Sequence, residues 1–205
     1  MPLIEVFADI WCPFAHVGLR ALVAQRHVLG REDVGLWIRA WPLELVNSEP
    51  LDARHVAQEI ADLRPQVAAD LFAGFAEDSF PATSLPALAL AAGAYRRDNH
   101  TGERVSLGLR NALFEEGRDI CDAGVLASIA RAHDVDLASP DDHETVRADW
   151  REGRRRGVQG SPHFFCDEIS AFCPALDISK DDQDHLHVRA NPAELERFIA
   201  QCFAS

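Results

Sequence analysis

The chain has 205 residues, 47% of them apolar, which suits one compact domain carrying a large insertion. Its 33 acidic against 20 basic residues leave a formal charge of −13. That excess repels phosphate backbones and anionic lipid, so nucleic-acid and membrane-surface partners are not expected, and solubility is the plain use of the charge. The start reads as a strand rather than a secretory signal, which needs a basic opening and a cleavage site. The longest apolar stretch, Leu85 to Ala94, falls short of the roughly 18–20 residues that span a bilayer. A reducing, cytoplasmic location is the expectation. Five cysteines at irregular spacing argue against a disulfide framework. No Cys pair resembles a zinc ribbon and no histidine sits in an H-E-x-x-H pattern, so no metal site is expected.

In chain order, Leu3 to Ala8 is a short apolar strand. Behind it Phe14, Val17, Ala21, Ala24 and Val28 recur at helical spacing, with Pro13 in the first turn and Gly30 as the stop. A second strand runs from Val34 to about Trp41, giving a βαβ unit with parallel strands. From 47 to 156 the signals are helical. Leu51–Ala76 and Leu85–Arg97 read as helices, Asp122 caps one bearing Val125, Leu126 and Ile129, and Ser139-Pro140 with Asp142 opens one that ends at Gly157. Strand character returns in His163–Cys166, with a turn at Asp167-Glu168 and a return through Ala171-Phe172-Cys173. A polar loop from Lys180 to Asp184 follows. A capping box at Asn191–Glu194 then starts a helix striped by Leu195, Phe198, Ile199, Cys202 and Phe203. The order β-α-β, helical block, β-β-α predicts an α/β domain interrupted by a helical subdomain.

Cys12 falls where the first strand gives way to the first helix. Unpaired N–H groups and the positive end of the macrodipole favour a thiolate there, so the thiol is expected to titrate below the free value of about 8.5. Asp9-Ile10-Trp11-Cys12-Pro13-Phe14-Ala15 resembles the active-site segment of DsbA-family thioredoxin-fold proteins, particularly the FrnE-like branch, where Asp-x-x-Cys-Pro-Trp-Cys is usual. Trp41–Leu45, Phe114–Ile120 and Gly157–Pro162 are similar to three further family segments: the stretch after the second strand, an insertion-helix signature and a cis-proline loop. The resemblance implies an α/β thioredoxin fold with a large helical insertion. Residues 1–46 and 157–205 would form the thioredoxin-fold domain and 47–156 the insertion. It also implies a cis bond before Pro162, with the Ser161 backbone holding an extended substrate. Cys12 is then the catalytic residue. Trp11, Pro13, Phe14, Ala15, His16, Ser161 and Pro162 would form the substrate-binding surface.

One departure matters: Ala15 stands where the family's second cysteine belongs. A dithiol site releases its mixed disulfide by attack of the second thiol, and Ala15 removes that step. Strand geometry puts Cys166 some 13 Å away along its strand and Cys173 about 10 Å across, beyond the roughly 7 Å that a disulfide tolerates between Cα atoms. Resolution from outside is therefore the leading expectation, with Cys173 as the alternative. The leading expectation is a disulfide oxidoreductase working by a monothiol, mixed-disulfide route on a small-molecule or protein thiol or disulfide. No tightly bound cofactor is expected, with glutathione as a candidate co-substrate. A glutathione-dependent transferase or isomerase of the hydroxychromene-carboxylate isomerase or kappa type shares this fold but typically carries serine at the first position. A non-catalytic thiol sensor is the third reading. His16 reads as a partly exposed helix position that could tune the thiol. Arg154–Arg156 reads as a basic helix end that could draw an anionic ligand.

Overall fold

The computed structural model describes residues 2–182 and 185–203, with only the backbone of Phe203. Met1, the last two positions of the expected Lys180–Asp184 loop and the Phe203 side chain lie outside the described residues. Strand β1 (Leu3–Ala8) runs through the middle of a four-stranded sheet. It pairs in parallel with β2 (Gly35–Ala40) and antiparallel with β3 (His163–Cys166), which pairs antiparallel with β4 (Ile169–Phe172). Val6, Phe7 and Ala8 are all buried, as a central strand covered on both faces requires.

Helix α1 (Pro13–Val28) connects β1 to β2. Cys12 is its N-cap, Pro13 occupies the first turn, and Gly30 takes φ +62° just beyond its end. Of the expected Phe14–Val17–Ala21–Ala24–Val28 stripe, Val17 is buried and Phe14 and Ala21 pack half-buried on the core, while the buried face centres on Ala15, His16, Val17, Gly18, Leu19 and Leu22. Ala24 and Val28 are exposed. At about 1.5 Å per residue the 16-residue helix outruns the six-residue strand by less than one turn, so Val28 projects past the sheet, while Ala24 lies on the side turned to solvent.

A short helix α2 (Leu43–Asn47) is followed by α3 (Ala53–Val67), α4 (Leu85–Arg97), α5 (Asn99–Phe114), α6 (Ala123–Ala132) and α7 (Pro140–Arg155). The expected Leu51–Ala76 helix runs only from Ala53 to Val67: Ala68 leaves the helical region at φ −141°, and Phe72 beyond it adopts φ +64°. Asp122 caps α6 through Val125 N–H, and Ser139 with Asp142 forms the capping box of α7. The sheet edge explains why this helical block packs where it does. Strand β2 has a free side, and helix side chains satisfy it: Ile38 N–H donates to Tyr95 Oη, Leu36 N–H to Glu103 and Ala40 N–H to Asp149. Glu103 also takes a two-pronged bond from Arg26 of α1, so α5 is pinned beneath the sheet.

After β4 the chain makes a second hairpin, β5 (Leu176–Lys180) and β6 (Leu186–Ala190), before α8 (Pro192–Phe203). The loop expected from Lys180 thus begins one residue late, at the end of a strand. The hairpin docks on α3, where Gln66 bonds Leu186 O and Val188 N–H, and Asp62 accepts from Leu186 N–H. Leu195, Phe198, Ile199 and Cys202 of α8 are buried against the sheet.

Candidate active site

The local sequence dictates where Cys12 goes. Strand β1 must stop for the chain to enter α1, and Pro13 fits only the first helical turn, so the thiol lies at the strand-to-helix junction. From the other side, the loop before β3 brings Ser161 and Pro162 to the same end of the sheet, with the Ser161–Pro162 bond cis. Helix α1 lies against this proline at Gly18, where a Cβ would make ordinary contact with Pro162 Cγ at 3.4 Å.

A continuous set of hydrogen bonds joins the two sides. Cys12 Sγ–H donates to Ser161 O at 3.2 Å. Asp9 N–H donates to Ser161 Oγ at 2.9 Å. Arg110 of α5 donates from Nη2 to Asp9 O at 3.1 Å, and from Nη1 to Ser106 O and Oγ. Arg110 is fully buried, and burial lowers it to about 10, which leaves it a cation at neutral pH. The Asp9 carboxylate accepts from Leu43 N–H at 2.6 Å, and burial raises it to about 6. A cation, a carboxyl and a thiol are therefore stacked through one backbone step.

The thiol itself departs from expectation. Cys12 is 3% exposed and is pushed up to about 12 rather than held below the free value. Loss of water outweighs the Ser161 side chain and the Ala15 N–H, which favour the anion, and the nearby charges of Glu59 and Asp9 add to the rise. A helix N-terminus stabilises a thiolate only as far as its other surroundings allow, and here apolar packing dominates. In the resting state the group is a neutral thiol bonded to a carbonyl.

Cys12, its neighbours and the Ser161–Pro162 step do come together. Trp11, Pro13, Ala15, His16 and Pro162 are nonetheless buried, and of the eight candidate residues only Phe14 and Ser161 are partly exposed. Trp11 stacks on Phe80 at 5.5 Å between ring centroids, and Phe80 meets Phe75 at 6.0 Å. His16 is no partly exposed position: it is 2% exposed, packed on Phe72 and Phe114, with Nε2 2.7 Å from Glu115 Oε1. Burial lowers it to about 4, so it is a neutral donor to that carboxylate. Glu115 also accepts from Phe72 N–H and Ala73 N–H. One carboxylate thereby fastens the 72–75 loop to the first turns of α1. Arg154–Arg156 do not face the thiol; Arg156 pairs with Glu5, Arg155 with Glu152, and Arg154 lies over Trp150.

Sequence reasoning missed Asp9, Arg110, Glu115 and Glu59. Asp9 had a signal, being the fixed acid of the Asp-x-x-Cys segment. Arg110 had none beyond its place four residues before Phe114. Among the described residues, no group of three or more His, Cys, Asp or Glu could hold a metal ion, and no helix is long and apolar enough to cross a membrane.

Comparison with known proteins places this arrangement. Residues 3–180 match the model of the DSBA-like thioredoxin domain. Among curated proteins no sequence match was found. Of solved structures, the cytosolic disulfide reductase DsbM from Pseudomonas aeruginosa superposes with a TM-score of 0.62 at 14% identity, covering 98% of both chains. It has also been solved with GSH. A probable DsbA oxidoreductase from Streptomyces coelicolor gives 0.64 at 19% identity, covering 100% of this chain and 91% of that one. A 2-hydroxychromene-2-carboxylate isomerase gives 0.61 at 15%, covering 83% and 88%. At these identities the likeness is one of fold, while the domain match spans most of the sequence: the chain belongs to the DSBA-like thioredoxin domain family and has its thioredoxin fold with a large helical insertion.

Proposed function

We propose that this protein carries out thiol–disulfide exchange through Cys12 by a monothiol, mixed-disulfide route. The observation that carries the reading is the contact of Cys12 Sγ with the carbonyl of Ser161, immediately before the cis proline. That carbonyl and the partly exposed Ser161 and Phe14 are where an extended substrate would lie against the sulfur. Entry of a disulfide displaces the Sγ–H bond and brings polar atoms to a buried thiol, which eases its ionisation. Ala15 leaves no thiol at the position where the family's second cysteine stands. Glutathione is the proposed co-substrate, supported by the fold shared with a reductase solved with GSH. A reducing, cytoplasmic setting and the division into residues 1–46 with 157–205 and an insertion at 47–156 belong to the same proposal.

The near-complete burial of Cys12 favours a second reading, a protein that has lost catalysis, although an oxidation sensor would need a more accessible thiol. The isomerase reading has the fold likeness behind it but stands against a cysteine where those enzymes typically carry serine. Incubation with oxidised glutathione followed by peptide mass analysis separates the three. Exchange makes the Cys12 peptide disulfide-bonded, reversibly with dithiothreitol, and Cys12→Ser takes up nothing there. Tight non-covalent glutathione binding that survives Cys12→Ser supports the isomerase reading. An inert Cys12 leaves the non-catalytic reading.

A further inference from the structure

The structure offers a route for the step that Ala15 removes. Counting whole strands, Cys173 lies two spacings from β1, about 10 Å. Cys12, however, is not on β1. It follows the Asp9–Trp11 turn, and its sulfur sits 3.2 Å from Ser161 O, at the start of β3. Its sulfur, though not its backbone, has thus reached that end of β3. On the other flank the β3–β4 ladder continues one step past His163↔Phe172, with Cys173 N–H donating to Pro162 O at 3.0 Å. The two cysteines thus both bond to the Ser161–Pro162 step, Cys12 through its sulfur and Cys173 through its backbone N–H.

We propose that Cys173 is the resolving thiol of this site, releasing a partner captured on Cys12 by forming a Cys12–Cys173 disulfide. The proposal rests on the exchange reading of Cys12 and adds the residue that completes it. Three further observations support it. Cys173 is 4% exposed, and after burial the strongest influence on its ionisation is Cys12, so the thiols lie within each other's electrostatic reach. Its backbone adopts φ +46°, a left-handed conformation that disfavours any residue bearing a side chain and that glycine would take freely. The other cysteines are engaged elsewhere: Cys166 donates toward Cys202 O on α8, and Cys121 lies among Asp119, Glu44 and Asp122.

The chemistry balances. Cys12 thiolate attacks one sulfur of a disulfide RSSR, forming Cys12–S–S–R and releasing RS⁻, which takes a proton. Cys173 then attacks the Cys12 sulfur, its proton passing to the departing RS⁻; the Cys12–Cys173 bond forms and a second RSH leaves. Two electrons pass from the protein thiols to RSSR, and two equivalents of a low-molecular-weight thiol such as glutathione restore the reduced pair.

The test uses the full chain. Wild type, Cys173→Ser and Cys173→Ala are treated with oxidised glutathione, quenched in acid, digested without reductant and mapped by mass. Wild type is expected to yield a linked Cys12–Cys173 peptide and retain little glutathione. Both variants should hold several-fold more glutathione on Cys12. A stable adduct on Cys12 in wild type at the level of the variants, without the linked peptide, overturns Cys173 while leaving Cys12 as nucleophile. No modification of Cys12 in any of the three overturns both. The linked peptide in wild type decides the matter even if a variant folds poorly.

Discussion

Replacing His16 with glutamine tests the buried clamp beside the thiol through its acid dependence. His16 titrates at about 4 when folded against an ordinary 6.5, because burial disfavours the imidazolium more than Glu115 favours it. A depressed histidine contributes stability that is complete above pH 6.5. It is lost as pH falls toward 4, where the unfolded chain takes up the proton and the folded one does not. The difference of about 2.5 units corresponds to about 3 kcal/mol, a large part of the roughly 5–15 kcal/mol typical of a folded domain. Asp9 acts in the opposite sense. Raised to about 6, it binds its proton more readily in the folded state, so its contribution is present below about 3.8 and fades as pH rises through 6. The wild-type curve alone therefore mixes two contributions of opposite sign, and the comparison with His16→Gln separates them. Both proteins retain Cys12 and Asp9, so denaturant unfolding of the pair from pH 7 to 4 isolates what His16 adds. Loss of the contacts with Phe72 and Phe114 lowers the variant by a roughly constant amount. The gap between the two should shrink by about 3 kcal/mol as pH falls from 6.5 to 4. A gap that is constant over that range refutes the assignment of a buried neutral His16.

The burial of Cys12 predicts a slow resting thiol. Raised to about 12 from an ordinary value near 9, it should alkylate with iodoacetamide at pH 8 roughly a thousandfold more slowly than in the urea-unfolded chain, the ratio of thiolate fractions. Faster reaction in the native protein contradicts the described environment. Ser161→Ala leaves Asp9 N–H without its acceptor and should cost about 1–3 kcal/mol in denaturant unfolding; no loss of stability would break the link between Asp9 and the proline loop. Gly30 and Gly117 share a positive φ, but a Cβ at Gly30 meets nothing while one at Gly117 would overlap the Gly74 carbonyl. Gly30→Ala should cost about 1 kcal/mol and Gly117→Ala at least twice that. Equal costs would show that the Gly74–Gly117 approach is not tight.

The parts of this molecule that local chemistry controls are legible in the sequence. Pro13 after Cys12, the Ser139/Asp142 capping box and Gly157 each act within a turn of their own position, and the elements they bound fall where expected. Helix α5 has its Asp98 cap but a blurred apolar stripe, because its buried side includes Glu103 and Arg110, polar residues with partners on α1, β2 and the Asp9 turn. The β5–β6 strands leave only a polar loop at Lys180–Asp184 to be read in sequence, because β5 buries only Leu176; what holds the hairpin is Gln66 and Asp62 on a distant helix. The thiol's ionisation departs from the sequence reading for the same reason. A helix N-terminus is visible in sequence, whereas the packing that removes water from Cys12 comes from elements far along the chain.

Turnover of a small disulfide with glutathione as reductant puts the exchange role of Cys12 to the most direct trial. Wild type should accelerate the reduction of bis(2-hydroxyethyl) disulfide above the uncatalysed rate, and Cys12→Ser should return it to background. Equal rates for the two proteins, or none above background for wild type at any glutathione concentration, would contradict the account.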